Sequence, residues 1–279
     1  MSMRRRLRRG CLAAALAAMT ATLGWAVPAA HADGFAPHRA VYAMTLESAR
    51  GGSGITAATG RMAVQWQHDC QGWTFDHRSV LDLVMAEGDP VRVATHASSW
   101  ESDDSRQYTF TLRNLANDRE TDRVEGVARI GGDGGGTVTF TQPEPRDVPL
   151  PKGTLFPVAH SKVVLDAGVR LKRSRTISRL VFDGMGEEGA FQVNAVLTPA
   201  RDKPEAGKAA AKLAGLAMFN ATIAYFDTGA SEAEPKHEMA MLMFANGVAD
   251  DLVIDFEEFT VRAALEQVEM LPVPDCGRP

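Results

Sequence analysis

The fold is decided by the stretch Gly153-Thr-Leu-Phe-Pro-Val-Ala-His-Ser-Lys-Val-Val-Leu-Asp-Ala-Gly168, where the apolar residues change to helical spacing. Thr154 or Phe156 ahead of Pro157 supplies a start signal, because proline is favoured in the first turn of a helix. Gly168 supplies a stop. The sequence therefore predicts one helix between two regions of a different period.

Alternating apolar and polar residues predict strands on both sides of this helix. Met62, Val64 and Trp66 share one face, and Trp73 follows after Gly72, which predicts a hairpin. Further strands are predicted around residues 38–46, 91–93, 108–112, 124–127, 137–141, 178–182, 191–197, 221–226, 239–244 and 252–256. The chain is therefore expected to be mainly β.

Several segments between the strands read as turns and connections. The glycines from Gly131 to Gly136 predict a flexible hairpin loop, and Asn246-Gly247 predicts a tight turn. The proline-rich residues 142–151 predict a connection, because proline cannot pair in a central strand. The insert from Ala206 to Ala214 is charged and rich in alanine, which indicates a loop or a short helix.

The N-terminus has the three parts of a cleavable signal peptide. Five arginines precede an apolar run from Cys11 to Val27, and Ala30-His31-Ala32 forms a small-x-small cleavage site. The run stops at a proline and falls short of the roughly 20 strongly apolar residues of a membrane span. We expect export, cleavage after Ala32, a periplasmic location and a mature chain, residues 33–279, that does not span a membrane.

Composition excludes some functions of the mature chain. Removal of residues 1–32 leaves 25 basic against 35 acidic residues, a formal charge of −10. Such a chain is not built to bind nucleic acid or anionic lipid through its net charge. Its 247 residues suffice for one large β domain or two small ones.

Two cysteines, Cys70 and Cys276, remain after cleavage. In a compartment that oxidises thiols, a disulfide between them is the economical outcome, and free or intermolecular thiols are the alternative. A bond would tie the tail of the chain to the first third of the fold.

Candidate chemistry in the sequence is sparse. Ser53 lacks the spacing of a nucleophile elbow, and oxidation would remove Cys70 as a nucleophile or as a metal ligand beside His68 and His77. His160 on the predicted helix is the most interesting histidine. We therefore predict no cofactor, no metal and no catalytic residue. The alternative is a periplasmic hydrolase that uses His160 or His77 with an acid brought close in the fold.

The order of several short motifs resembles one family. The motifs are His38-Arg-Ala-Val-Tyr42, Gly60-Arg-Met62, Cys70-Gln-Gly-Trp73, Gly153-Thr-Leu-Phe-Pro-Val-Ala-His160, Val181-Phe-Asp-Gly184, Asn246-Gly-Val248 and a cysteine near the end. Together they resemble the EipB family of periplasmic cell-envelope integrity proteins, over nearly the whole mature chain.

This resemblance implies a fold and a role. It implies a single domain made of a bent, spiral-like antiparallel β-sheet wrapped around a helix, similar in shape to the half-barrels of lipoprotein carriers, with a disulfide placed as Cys70–Cys276. It also implies a role in envelope integrity under stress, alongside partners that include a tetratricopeptide-repeat protein of the periplasm. Shape alone does not carry function.

We therefore expect a non-enzymatic envelope protein that acts through a protein partner or binds a lipid or lipoprotein ligand in the concavity of its sheet. The candidate ligand-facing residues are Trp66, Trp73, Met241 and Met243. The two methionines lie in a strand, residues 239–244, that is apolar on both faces, so a place in the core is the other interpretation.

Overall fold

Fourteen strands form one antiparallel sheet in the computed structural model, which describes residues 34–200, 208–228 and 234–277. The first half contains β1 (His38–Ala49), β2 (Ile55–His68), β3 (Gly72–Met85), β4 (Val91–Ser102), β5 (Gln107–Ala116), β6 (Arg119–Ile130), β7 (Gly136–Gln142) and β8 (Arg146–Leu150). The second half contains α1 (Pro157–Gly168), β9 (Arg175–Val181), β10 (Phe191–Pro199), α2 (Lys208–Lys212), β11 (Met218–Asp227), β12 (His237–Phe244), β13 (Ala249–Asp255) and β14 (Phe259–Met270).

The sheet consists of two meanders joined by their first and last strands. Its order is β8-β7-β6-β5-β4-β3-β2-β1-β14-β13-β12-β11-β10-β9, so β1 pairs with β14 and the two edges are β8 and β9. These two edge strands are connected through α1. The predicted signal peptide, residues 1–32, lies outside the described residues.

The sheet bends around α1. Leu81 of β3 and Leu197 of β10 belong to one core with Val164 and Leu165 of the helix. Seven inter-strand steps separate β3 from β10, which is roughly 34 Å along a flat sheet at about 4.8 Å per step. A shared core around one helix therefore requires strong curvature. The predicted bent, mainly β fold and its helix are confirmed.

One glycine lets α1 lie close to the sheet. A Cβ added at Gly168 would lie 2.2 Å from the ring of Phe219 in β11, which is buried in the core. The helix end predicted at Gly168 thus coincides with its close contact to the sheet.

A second core joins the two arms of the sheet near the start of α1. Its rings come from β5, β7 and the segments that flank α1 and β9; they are Tyr108, Phe110, Phe140, Phe156 and Phe182. The hydroxyl of Tyr108 donates a hydrogen bond of 2.7 Å to the carbonyl oxygen of Asp183, which links β5 to the loop after β9.

The predicted turns are confirmed, and one connection needs correction. The glycine-rich residues 131–135 connect β6 to β7, which begins at Gly136, and Asn246-Gly247 lies in the connection between β12 and β13. The proline-rich residues 142–151 are more than a connection, because they include β8, which pairs with β7. Pro149 is tolerated there since β8 is an edge strand. Of the alanine-rich insert, the described part contains α2, which packs against β12 and β14.

Candidate binding site on the concave face

The N-terminus of α1 is capped by a carboxylate from the sheet. Phe156, the residue before the helix, makes no capping hydrogen bond with its side chain. Glu101 in β4 instead accepts hydrogen bonds from the backbone N–H groups of Val158 at 2.6 Å and Ala159 at 3.0 Å, and from the Ser105 hydroxyl at 3.0 Å. Burial raises the pKa of the Glu101 carboxyl, while these donors act in the opposite direction. The contacts fix the start of the helix to β4.

The disulfide lies beside this end of the helix. Cys70, in the turn between β2 and β3, is bonded to Cys276, with 5.3 Å between the Cα atoms. Gly72, the first residue of β3, leaves no room for a side chain, because a Cβ there would lie 2.3 Å from the carbonyl oxygen of Glu101. The predicted pairing is confirmed. We call Cys70, Cys276, Gly72, Glu101 and the first turn of α1 the closed end.

Four aromatic rings cluster next to α1. The ring centroid of Trp66 lies 4.2 Å from that of Phe75 and 5.1 Å from that of Phe35, and Phe35 lies 4.9 Å from Trp73. Nζ of Lys162 in α1 lies 5.3 Å from the centroid of the Trp73 ring. Trp73 is buried, whereas the other three rings are half-buried. Part of this aromatic group therefore faces solvent.

Strand alternation places the aromatic group on the concave face. Trp66 has the same parity as Met62 on β2, and Phe75 has the same parity as Leu81 on β3; Met62 and Leu81 belong to the core around α1. Half-buried aliphatic side chains of β2, β4 and the α1 region also pack against this core; they are Val64, Val93, Val163, Ala167 and Leu171. We call the aromatic group and these aliphatic side chains the concave-face site.

The four residues nominated from the sequence fall in two places. Trp66 and Trp73 belong to the concave-face site. Met241 and Met243 in β12 are 9% and 8% exposed in the core on the α1 side, and the alternate residues of β12 pack with α2 on the other side. Protein thus covers both faces of this part of β12. Contact of any of the four with a ligand stays a prediction.

The histidines of the hydrolase alternative lie in apolar surroundings. His160 is buried, and its Nε2 has no hydrogen-bond partner among the described residues. Burial, with the charge of Arg179, lowers the pKa of His160 to about 4. Burial, with the charge of His96, likewise lowers the pKa of His77 to about 4, and the ring of His77 stacks on Phe75. Both histidines are therefore neutral at pH 7.

His68 pairs with an acid. Its Nε2 lies 2.8 Å from Oδ1 of Asp103, but the neighbouring Cys70 sulfur is held in the disulfide. Residues 34–200, 208–228 and 234–277 contain no group of three side chains suited to a metal ion. Neither helix within those ranges has the length and hydropathy to cross a bilayer.

A cleft of about 1010 Å³ opens at the other end of α1. It lies between the last turns of the helix, the loop that follows and β9, and Asp166 is its one acidic residue within the described part of the chain. Its cationic residues are Arg170, Lys172, Arg173, Arg175 and Arg179. The sequence patterns above did not indicate this cleft, although residues 170–179 contain five cations and no acid. We call this cleft and the end of α1 beside it the open end.

Comparison with known proteins identifies the family. A family model described as EipB-like matches residues 29–272. The chain belongs to the EipB-like family. This EipB-like chain is 27% identical over 260 residues to the cell envelope integrity protein EipB of Brucella abortus (strain 2308), with 90% of each chain covered. The resemblance inferred from the short motifs is confirmed.

A solved structure shares the EipB-like fold. The chain matches the crystal structure of a beta-barrel-like protein of domain of unknown function DUF1849 from Brucella abortus with a TM-score of 0.76. The match covers 86% of this chain and 100% of the other, at 24% identity. At this identity the likeness shows the fold alone.

Proposed function

We propose that this EipB-like chain helps to maintain the cell envelope as a non-enzymatic binding protein of the periplasm. The name of its relative from Brucella abortus supports the envelope role. The Cys70–Cys276 disulfide supports an oxidising compartment, because such bonds persist outside the reducing cytosol. The proposal includes export by the signal peptide of residues 1–32 and a mature single domain of residues 33–279.

The observation that carries the binding role is the concave-face site. Trp66 and Phe75 keep part of their rings exposed beside the helix, and Val93, Val163 and Ala167 extend the apolar surface. Ligand sites are typically concave and mostly apolar, with a few polar groups at fixed positions. Lys162, held over Trp73, supplies a polar group at this margin.

The site is formed in advance of binding. Glu101 holds the start of α1, and Phe219 packs against Gly168 at its end, so the helix has a fixed position on the sheet. A fixed site lowers the entropic cost of binding. The occupant is a lipid or lipoprotein acyl chain, or an apolar segment of a partner protein such as a tetratricopeptide-repeat protein of the periplasm.

Native mass spectrometry of the protein purified from its own periplasm tests the ligand. We expect a lipid-sized adduct on the wild type, less adduct on Trp66→Ala, and an unchanged adduct on Phe256→Ala. Phe256 is a matched control because its ring is 44% exposed and lies outside the concave-face site. An adduct that is equal on all three proteins would place the ligand elsewhere. The absence of adduct together with capture of a partner at this site would favour the protein occupant.

A further inference from the structure

With respect to residues 34–200, 208–228 and 234–277, the outer edge of β9 is open along most of its length. Leu155 forms the only strand-like contact described on that edge: its N–H donates to the carbonyl oxygen of Leu180 at 2.8 Å, and its carbonyl oxygen accepts from the N–H of Phe182 at 3.0 Å. Backbone groups alternate sides along a strand. The N–H and C=O groups of Thr176 and Ser178 therefore also point outward.

These outward groups have almost no partners. The carbonyl oxygen of Ser178 accepts a hydrogen bond of 2.8 Å from the guanidinium of Arg179, a surface side chain that can be displaced. Within the described ranges, no backbone hydrogen bond reaches the outer side of Thr176. The basic cleft is lined by every residue from 170 to 179, on both faces of β9, so it runs along this open edge.

The five cations of the cleft outnumber the acids that line it, of which Asp166 is the one among the described residues. None of the five forms an ion pair with another residue of the described chain, whereas Arg92 and Arg262 pair with carboxylates on the sheet surface. Arg175 and Arg179 flank Ile177, whose side chain is in the core, so alternation directs both arginines to the concave side next to α1. A row of positive charge thus accompanies an unpaired strand edge.

We propose that the open end binds an acidic polypeptide segment in extended conformation, which adds to β9 as a further strand. The backbone of Thr176 and Ser178 supplies hydrogen bonds to the segment, as in other cases of strand addition. The cations select Asp and Glu side chains and reject basic segments. This binding site is separate from the aromatic group of the concave-face site.

A second copy of this chain is a poor occupant. Two β9 edges placed side by side would bring ten cations together, and charge on an edge strand is a known means to prevent such pairing. The opposite edge of the sheet is protected in another way, because β8 has five residues and contains Pro149. Strand β9 contains no proline, which leaves it able to accept an acidic strand.

Fluorescence anisotropy tests the proposal. A fluorescent octapeptide of alternating Glu and Val is titrated with the mature protein. Thr176→Pro removes the outward N–H and leaves the charge of the cleft intact; proline is tolerated at such an edge position. We expect Thr176→Pro to weaken binding about tenfold, which is the upper end of the contribution of one net hydrogen bond. Thr176→Val keeps the N–H and should bind as the wild type does.

Charge reversal tests the contribution of the cations of the cleft to peptide binding. Arg175→Glu should weaken peptide binding and reduce its salt dependence, whereas Arg129→Glu, at an exposed arginine of β6, should not. Equal peptide affinity of Thr176→Pro and Thr176→Val, with both folded by circular dichroism, would overturn strand addition. The proposal is also overturned if the octapeptide does not bind, or if pyrophosphate or phosphatidylglycerol vesicles compete it away completely at equal anion concentration. Loss of lipid adduct on Trp66→Ala is independent of these results.

Discussion

The two ends of α1 have opposite construction. At the closed end, the first N–H groups of the helix are held by the buried Glu101, and the disulfide joins the adjacent turn to the chain terminus. At the open end, Val169 is exposed, and the cleft contains five cations without ion pairs to described residues.

This difference separates stability from binding within one helix. Buried and satisfied polar groups at the closed end fix the position of α1, and a change there alters the free energy of unfolding. Uncovered apolar groups along the rest of the helix and the cations that follow it contribute little to that free energy, but they are available to a partner. Variants of the two ends should therefore affect different measurements.

Loss of the disulfide should have the largest effect on stability. The bond closes a loop of 206 residues, so the double variant Cys70→Ser/Cys276→Ser should lose about 5 kcal/mol of unfolding free energy in the chain-entropy model. Chemical denaturation of the mature proteins measures this loss. Dithiothreitol should destabilise the wild type to the same level and leave the double variant unchanged. Equal stability of reduced and oxidised wild type would show that the bond does not hold the closed end together.

Removal of the cap on α1 should have the next largest effect. Glu101→Ala leaves two helix N–H groups and the Ser105 hydroxyl without their acceptor in a buried place, with an expected cost of about 4 kcal/mol. Glu101→Gln keeps one acceptor oxygen and should cost less. Asp82→Ala is the matched control, because its pair with Arg92 is exposed to solvent and should contribute little to the free energy of unfolding. A small effect of Glu101→Ala would mean that the core alone positions the helix.

The buried His160 should make stability depend on pH. Its pKa is lowered from 6.5 to about 4 in the folded state, so the unfolded chain binds a proton first as the pH falls. The contribution of His160 to the free energy of unfolding is therefore fully present above pH 6.5. It falls by up to about 3 kcal/mol as the pH is lowered to 4.

His160→Leu removes this proton and the unpaired Nε2. The difference in unfolding free energy between the variant and the wild type should grow in favour of the variant as the pH falls from 6.5 to 4. Parallel curves for His160→Leu and the wild type would show that His160 titrates normally.

The smallest effect is expected at Lys162, between the two ends. Lys162→Met removes the cation over the Trp73 ring and should cost about 0.5–1 kcal/mol, whereas Lys162→Arg should retain most of the contact. Denaturation curves measured by tryptophan fluorescence detect the change. A loss as large as that of Glu101→Ala would mean that Lys162 belongs to the closed end.

Local signals in the sequence sufficed to predict the elements of the fold. They did not suffice to predict contacts between residues far apart in the sequence. Pro157 and Gly168 bounded α1 correctly because first-turn proline and terminal glycine act through the local backbone. The Cys70–Cys276 bond followed from a count of two cysteines. Glu101 gave no signal, since its capping role depends on a contact across 57 residues. The unpaired edge of β9 depends on the order of strands in the sheet, which the sequence does not show. The cations of residues 170–179 therefore did not indicate a binding site.

Site-specific photocrosslinking in the living envelope tests the division between the two ends most directly. A photoreactive phenylalanine derivative at Ala167, which lines both the cleft and the concave-face site, should capture a lipid or a protein. The same derivative at the exposed Gln71, between Cys70 and Gly72 of the closed end, should capture nothing above background. Adducts at Gln71 and none at Ala167 would contradict the assignment of binding to the concave-face site and the open end.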